Sequence, residues 1–290
     1  MSDVTVLATG AFNSNGSSGV WSNFNSVVLL NAWAGPVEMS NNALDGIICE
    51  QATCGTLGNT QIKHNGTTSG FGVDLVAGAT MEFAAYYGPN FVEDNKSGGV
   101  SLRERSRLSF FTFDQPTIIR RNGPVGVTVG LGSQVTLYNN TIISDHASAG
   151  IDIYANSQAY FFGANKIQRN GGDAGPRSAA IRVDGNSEAF LRGGEVANNT
   201  GPGLLVLVNS SVDFSGVTFT ANNGGIITCD NTAVMVSDLA RSDMTPATGI
   251  RCKTPHDLGN REVSMPMPTM RGLSAHKALH EKYRKLAAKH

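Results

Sequence analysis

The sequence predicts an all-β protein built as a single-stranded parallel β-helix of about nine coils. Three observations carry that prediction. An apolar residue followed three places later by Asn keeps returning: Met39–Asn42, Ile62–Asn65, Val92–Asn95, Ile119–Asn122, Ile167–Asn170, Val196–Asn199 and Phe219–Asn222. One slot is broken, where Ile143 is followed by His146. A second row runs in parallel through Ser26, Thr53, Ala79, Ser106, Ser133, Ser157, Ser187, Ser210 and Thr232. Around this second row the chain alternates with period two, the signature of half-buried strands.

The strands follow from the rows. Six residues before each marker stands an apolar side chain: Val20, Ile47, Val73, Val100, Val127, Ile151, Ile181, Leu204 and Ile226. Four residues after it comes another: Leu30, Leu57, Phe83, Phe110, Leu137, Phe161, Leu191, Phe214 and Val236. The repeats are spaced in the twenties of residues, once by thirty, with no helical segment between them. That spacing excludes βαβ units and fits stacked coils. An immunoglobulin-like sandwich would alternate as well, but would not hold one register over nine units. Asn and Gly are expected at the corners because they tolerate left-handed backbone. Coils about 4.8 Å apart would also let equivalent Asn side chains hydrogen-bond as a ladder.

Composition narrows the function classes. With 290 residues, 34 Gly, 16% charged residues and a net charge of −1, the chain is neither a helical bundle nor a disordered tract. No run of eighteen apolar residues exists, so no membrane-spanning helix is expected. The opening "MSDVTVLATG" lacks the regions of a signal peptide and reads like the middle of a repeat. Two readings are open, a cytoplasmic protein or, preferred, a trimmed chain from a secreted or cell-surface protein whose natural form could carry earlier coils. Cys49 with Cys54, and Cys229 with Cys252, are expected either as disulfides or as buried thiols. Without a CxxC pair, zinc is disfavoured.

The coil pattern, over about residues 4–239, resembles the right-handed parallel β-helix proteins of the pectin-lyase-like superfamily. The resemblance implies secretion and polysaccharide as the ligand class. "ISDH" at Ile143 to His146 is similar to an element of pectate lyases, but no RxPxxR follows, and His146 fills a ladder slot, which points to a turn role. "TPHD" at Thr254 to Asp257 is similar to the "DPHD" element of mannuronan epimerases, with Thr254 replacing the first Asp. The paired-Asp and "GHG" elements of polygalacturonases are missing.

Beyond the helix of residues 1–239, residues 240–263 are expected to cap the last coil, and residues 264–290 form a Pro-spaced linker and a terminal helix. That helix would start near Ser274, a plausible N-cap, and carry a Leu279–Tyr283–Leu286 stripe. Residues 271–290 hold six Lys/Arg and one Glu, about +5, which leaves 16 basic and 22 acidic residues elsewhere, about −6. The tail would grip a polyanion or membrane surface, or pack on the acidic body of its own or a neighbouring subunit. His276 and His280 are read as surface residues in preference to metal ligands. The acidic body argues against nucleic acid.

Candidate chemistry lies on the outward rows of one strand set. Asp152 and Tyr154 are expected one coil below Arg182 and Asp184, as a cluster of catalytic type. Paired carboxylates there would serve as general acid and base on a glycosidic bond, and Arg182 would neutralise a uronate carboxylate. The alternative is a cross-strand ion pair of Asp152 with Arg182. Asp74, Arg103 and Glu50 would extend the groove as substrate-binding residues. No cofactor is called for, calcium being the one admissible ion. Outward aromatics at Tyr160, Phe190, Phe111, Tyr138 and Phe162 would stack on sugar rings or receive the terminal helix. The sequon-like Asn65, Asn139, Asn198 and Asn209 are accounted for by ladder and turn roles. Two functions compete: binding, with or without processing, of an acidic polysaccharide along an outer strand face, and a structural or adhesion module. The second would assemble into oligomers or head-to-tail filaments through its coil ends or the 271–290 helix.

Overall fold

The computed structural model describes residues 3–237, apart from 7–9, 31, 33–34, 68, 113, 174, 176–177 and 231. The expected cap of residues 240–263, the terminal helix and Cys252 lie outside the described residues. Within them the chain is a parallel β-solenoid with no helix. Each coil gives one strand to each of three parallel sheets. A central coil, for example, runs through Val125–Val129 in sheet 1, Gln134–Tyr138 in sheet 2 and Thr141–Ser144 in sheet 3. Sheets 1 and 3 contain nine strands each and sheet 2 contains ten.

The core is the stacking of like on like. In sheet 1 the inward row runs Val100, Val127, Ile151, Ile181 and Leu204, each directly opposite the next and each fully buried. In sheet 2, Phe83, Phe110, Leu137, Phe161, Leu191 and Phe214 form the matching file. Burying each such side chain contributes roughly 1.5–3 kcal/mol. A conserved register is therefore enforced, because slipping a strand by one residue would turn this whole file toward solvent.

The predicted rows slip at two places. Val27 pairs with Thr53, so the residue equivalent to Ser26 is Ala52, and Thr56 takes the place expected for Leu57. The corner between sheets 1 and 2 is one residue shorter here. It contains a single left-handed residue, Gln51, whereas others contain two, such as Ala77 and Gly78. The shortened corner is spanned by a Cys49–Cys54 disulfide, with both residues facing the core. In the last coil Leu204 pairs with Ile227 and Ser211 with Val234, so Ala233, not Thr232, is the marker. Ile227 replaces Ile226 in the inward row, Thr228 replaces Ile227 in the outward row, Cys229 faces Val206, and Ser237 holds the place given to Val236. Thr232 imitates a marker because its hydroxyl accepts the Asn209 amide at 2.9 Å, one residue out of register. Cys229 is disulfide-bonded.

Of the two causes expected for the recurrent Asn, the ladder is present and the left-handed backbone falls one residue earlier. The left-handed residue of that corner is the one before it: Asn41, His64, Asp94, Arg121, Asp145, Arg169 and Asn198 have φ between 51° and 63°. The Asn itself is buried and belongs to a ladder. Asn15, Asn42, Asn65, Asn95 and Asn122 are joined Nδ2 to Oδ1 at 2.8–3.0 Å, and Asn170, Asn199 and Asn222 at 2.8–3.1 Å. Each Oδ1 also accepts a backbone amide from the coil before, and most Nδ2 groups also donate to a backbone carbonyl, as Asn95 does to Ile62. Glycines accompany the ladder because nothing larger fits: a Cβ on Gly72 would lie 2.7 Å from Asn95 Nδ2.

Candidate functional site

Asp152 and Arg182 are the fourth residues of Ala149–Ile153 and Ala179–Val183 and are register partners on the outer face of sheet 1. Arg182 Nε lies 3.1 Å from Asp152 Oδ1, and Arg182 Nη2 donates to Asp184 Oδ2 at 3.3 Å. The guanidinium sits between the two carboxylates and the residue is only 7% exposed. Three of the four residues expected to form the catalytic cluster are thus brought together. The fourth, Tyr154, lays its ring over Gly130 of the preceding coil, where a Cβ would come within 2.4 Å of Cζ.

The expected substrate-binding residues form a separate group on the same face. Arg103 grips Asp74 through both Nε and Nη2, the former at 3.3 Å. Ser101 and Thr128 stand between Asp74 and Asp152 in the row, so the two groups are about 14 Å apart at one strand spacing per coil. Glu50 is opposite Val76 and lies two coils from Arg103 in its row. A residue not anticipated from sequence joins this group. Asp45, in the corner leading into Ile47–Glu50, accepts the Phe71 amide at 2.6 Å through Oδ1. Burial pushes its carboxyl up to about 6, with the Asp74 charge adding to the effect and the Phe71 amide and Arg103 opposing it. Its sequence signal is faint: one Asp in a corner position that the next coil fills with Phe71.

Two further arrangements bear on binding. The outward aromatics of sheet 2 stack on one another, Phe111 on Tyr138 at 4.6 Å, Tyr138 on Phe162 at 5.4 Å and Tyr160 on Phe190 at 5.1 Å. Ring faces that would meet a sugar are therefore already in contact with other rings. At the corner after sheet 3, the left-handed residues Asp94, Arg121, Asp145 and Arg169 make a column of alternating sign. Arg121 binds Asp94 at 2.8 and 2.9 Å, and Arg169 binds Asp145 at 2.7 and 2.9 Å. These hydrogen bonds hold both Asp carboxyls below the usual range. An open groove of about 850 Å3 runs along the column, bordered also by Lys96 and Asp173. This column was legible in the sequence as the residue before each ladder slot.

His146 fills its ladder slot as expected. Asn122 Nδ2 can only donate, so His146 Nε2 accepts it at 3.4 Å, and Nδ1–H donates to Asn170 Oδ1 at 2.9 Å. The ring is neutral, its pKa lowered to about 4 chiefly by burial. Among the described residues no group of three or more His, Cys, Asp or Glu is placed to hold a metal ion, and no helix is long and apolar enough to cross a membrane. No protein-family model, curated protein or solved structure matches the chain.

Proposed function

We propose that the chain is a non-catalytic structural module, a stiff β-helical column that acts through its outer surfaces. The carrying observation is the state of Arg182, the side chain best placed to bind a uronate. It is 7% exposed and held by Asp152 and Asp184. To meet a substrate carboxylate it would have to leave two partly buried acids, and breaking such a pair costs about 3–5 kcal/mol. The cluster works as a brace between coils. The Asn ladder and the aromatic stacks add stiffness in the same direction.

The test is a panel of neutral and acidic oligosaccharides titrated against the protein and against Arg182→Gln. The structural reading expects no saturable binding to either, and a lowered urea midpoint for the variant. Saturable binding that vanishes in a folded Arg182→Gln would overturn it.

A second reading, an acidic-polysaccharide binder that also cleaves, is favoured by one observation. Asp45, raised to about 6, stands near the Asp74–Arg103 pair, and a carboxyl raised by burial beside charged groups is a signature of acid–base chemistry. The resemblance to pectin-lyase-like proteins supports the same ligand class. Cleavage of uronate oligomers near pH 6 that is lost in Asp45→Asn would establish it, and an unchanged activity would remove Asp45 from it.

A further inference from the structure

The outer face of sheet 3 has a charge and shape pattern that matches itself. Its central outward residues are Phe91, Ile118 and Ile142, which are register partners in successive coils and remain partly exposed. The next outward residue of that row is the exposed Lys166. At the edge of the same face stands the Asp94, Arg121, Asp145, Arg169 column. Its arginine side chains are 45% and 51% exposed, so they keep donors free for a partner.

Reading up the column, the signs are minus, plus, minus, plus. Reading down, they are plus, minus, plus, minus. A second copy turned about a two-fold axis along the strand direction, between the coils of Arg121 and Asp145, inverts the order of coils and keeps each position along the strand. Every residue of a row then meets the same row in reverse. Asp94 comes opposite Arg169, and Arg121 opposite Asp145, twice each. In the outward row three residues before the column Ile118 comes opposite Ile142 and Phe91 opposite Lys166, while the row between sets Glu93 opposite Gln168 and Arg120, which lies over its own Phe91 ring at 5.9 Å, opposite Ser144. Parallel copies in register would instead set like charges against like. Two-fold interfaces require this self-complementarity, and an apolar centre with a charged rim is the usual anatomy of one.

We infer that sheet 3 is a homodimer surface, on which a second copy of this chain packs antiparallel through Ile118 and Ile142, with register set by the Asp94–Arg169 column. The inference rests on the structural reading and names its surface, at the side of the column, away from the coil ends. The face is a few coils tall and four residues wide, so the expected affinity is micromolar, as for small interfaces. Rim charges set orientation more than strength.

The experiment uses the whole chain in sedimentation velocity, across about 1 μM to 1 mM and at low and high salt. Dimerisation is expected, weakened several-fold by salt. Ile118→Glu should leave a folded monomer. Two double variants then separate folding from pairing. Arg121→Asp with Arg169→Asp makes an all-acidic column, and Asp94→Arg with Asp145→Arg an all-basic one. Each alone should be monomeric, and mixing them should restore a one-to-one dimer. A wild-type chain that stays monomeric throughout overturns the inference. So does assembly that survives both Ile118→Glu and the charge variants, which would leave the structural reading standing and move its surface to the coil ends. Saturable binding of an acidic oligosaccharide to the column, without self-association, would overturn both.

Discussion

Two polar ladders climb the inside of this column and differ in what their rungs do. The Asn ladder occupies the corner between sheets 3 and 1 and runs unbroken from Asn15 to Asn222, with His146 as its one different rung. The Ser ladder occupies the corner between sheets 1 and 2. It runs from Ser106 through Ser133, Ser157 and Ser187 to Ser210, the hydroxyls from Ser133 onward each accepting the backbone amide of the preceding rung at 3.1–3.3 Å. Below Ser106 its place is taken by Ala79 and Ala52, both buried. The Asn ladder tolerates only another bifunctional side chain, because its rungs donate and accept along the stack. The Ser rung supplies one acceptor to the backbone and is dispensable wherever the corner can close without it.

The largest expected effect is therefore the loss of one Asn rung. Asn95 Oδ1 accepts the amide and side chain of Asn65, both at 3.0 Å, and its Nδ2 donates to Asn122 Oδ1 and Ile62 O at 2.8 and 3.2 Å. Asn95→Ala removes four buried hydrogen bonds at once, stranding the Asn65 N–H, while Asn65 Nδ2 keeps Met39 O and Asn122 Oδ1 keeps the residue 95 amide. At about 1 kcal/mol or more for each bond, partly offset by relaxation, the cost is about 4 kcal/mol. It should appear as a large fall in the urea midpoint. A loss below about 1 kcal/mol would mean the ladder carries little stability.

The His146 rung should make stability depend on pH. Its folded pKa, about 4, lies below the ordinary 6.5, so between these values the unfolded chain binds more protons. Stability is then full above about pH 6.5 and falls as the pH drops toward 4, by roughly 3 kcal/mol in all. Protonation would also set a second donor against Asn122 Nδ2. Asp145, kept ionised by Arg169, does not titrate in this window, and Arg121 and Arg169 stay charged. Asp45, raised to about 6, titrates in the same window with the opposite sign, so the His146 share is the difference between the wild-type and His146→Asn slopes, with the neutral-pH midpoint kept. If the slope persists unchanged, another group titrates in its place.

The repeat made most of this legible before any coordinates, because an inward row must recur at the same offset in every coil. It misled where a coil departed from the common length. At Cys49–Cys54 the shorter corner moved the marker to an Ala, and in the last coil Thr232 mimicked the Ser it precedes. The outward rows were legible only as far as register. Asp152 beside Arg182 followed from counting, but nothing in the sequence could tell a groove from a brace. That depends on the depth at which the guanidinium lies and on Asp184 closing over it. Asp45 escaped notice because its own corner position does not repeat, the next coil placing Phe71 there, and the raised carboxyl arises from burial, which has no period.

The smallest expected effect completes the contrast between the ladders. Ser157 Oγ accepts the Ser133 amide at 3.3 Å, and its own amide donates to Ser187 Oγ at 3.1 Å, a bond that the side chain does not make. Ser157→Ala thus strands a single backbone N–H and leaves the rung above intact. The structure already holds Ala at three places in this row, Ala52, Ala79 and Ala233, so a corner can close with no hydroxyl. About 1 kcal/mol is expected, near the low end for one orphaned donor. The ratio to Asn95→Ala is the discriminating quantity. Urea midpoints for both variants that fall by similar amounts would mean the ladders are equivalent, and that stiffness along the column comes from backbone pairing alone. A fourfold difference would locate it at the Asn corner.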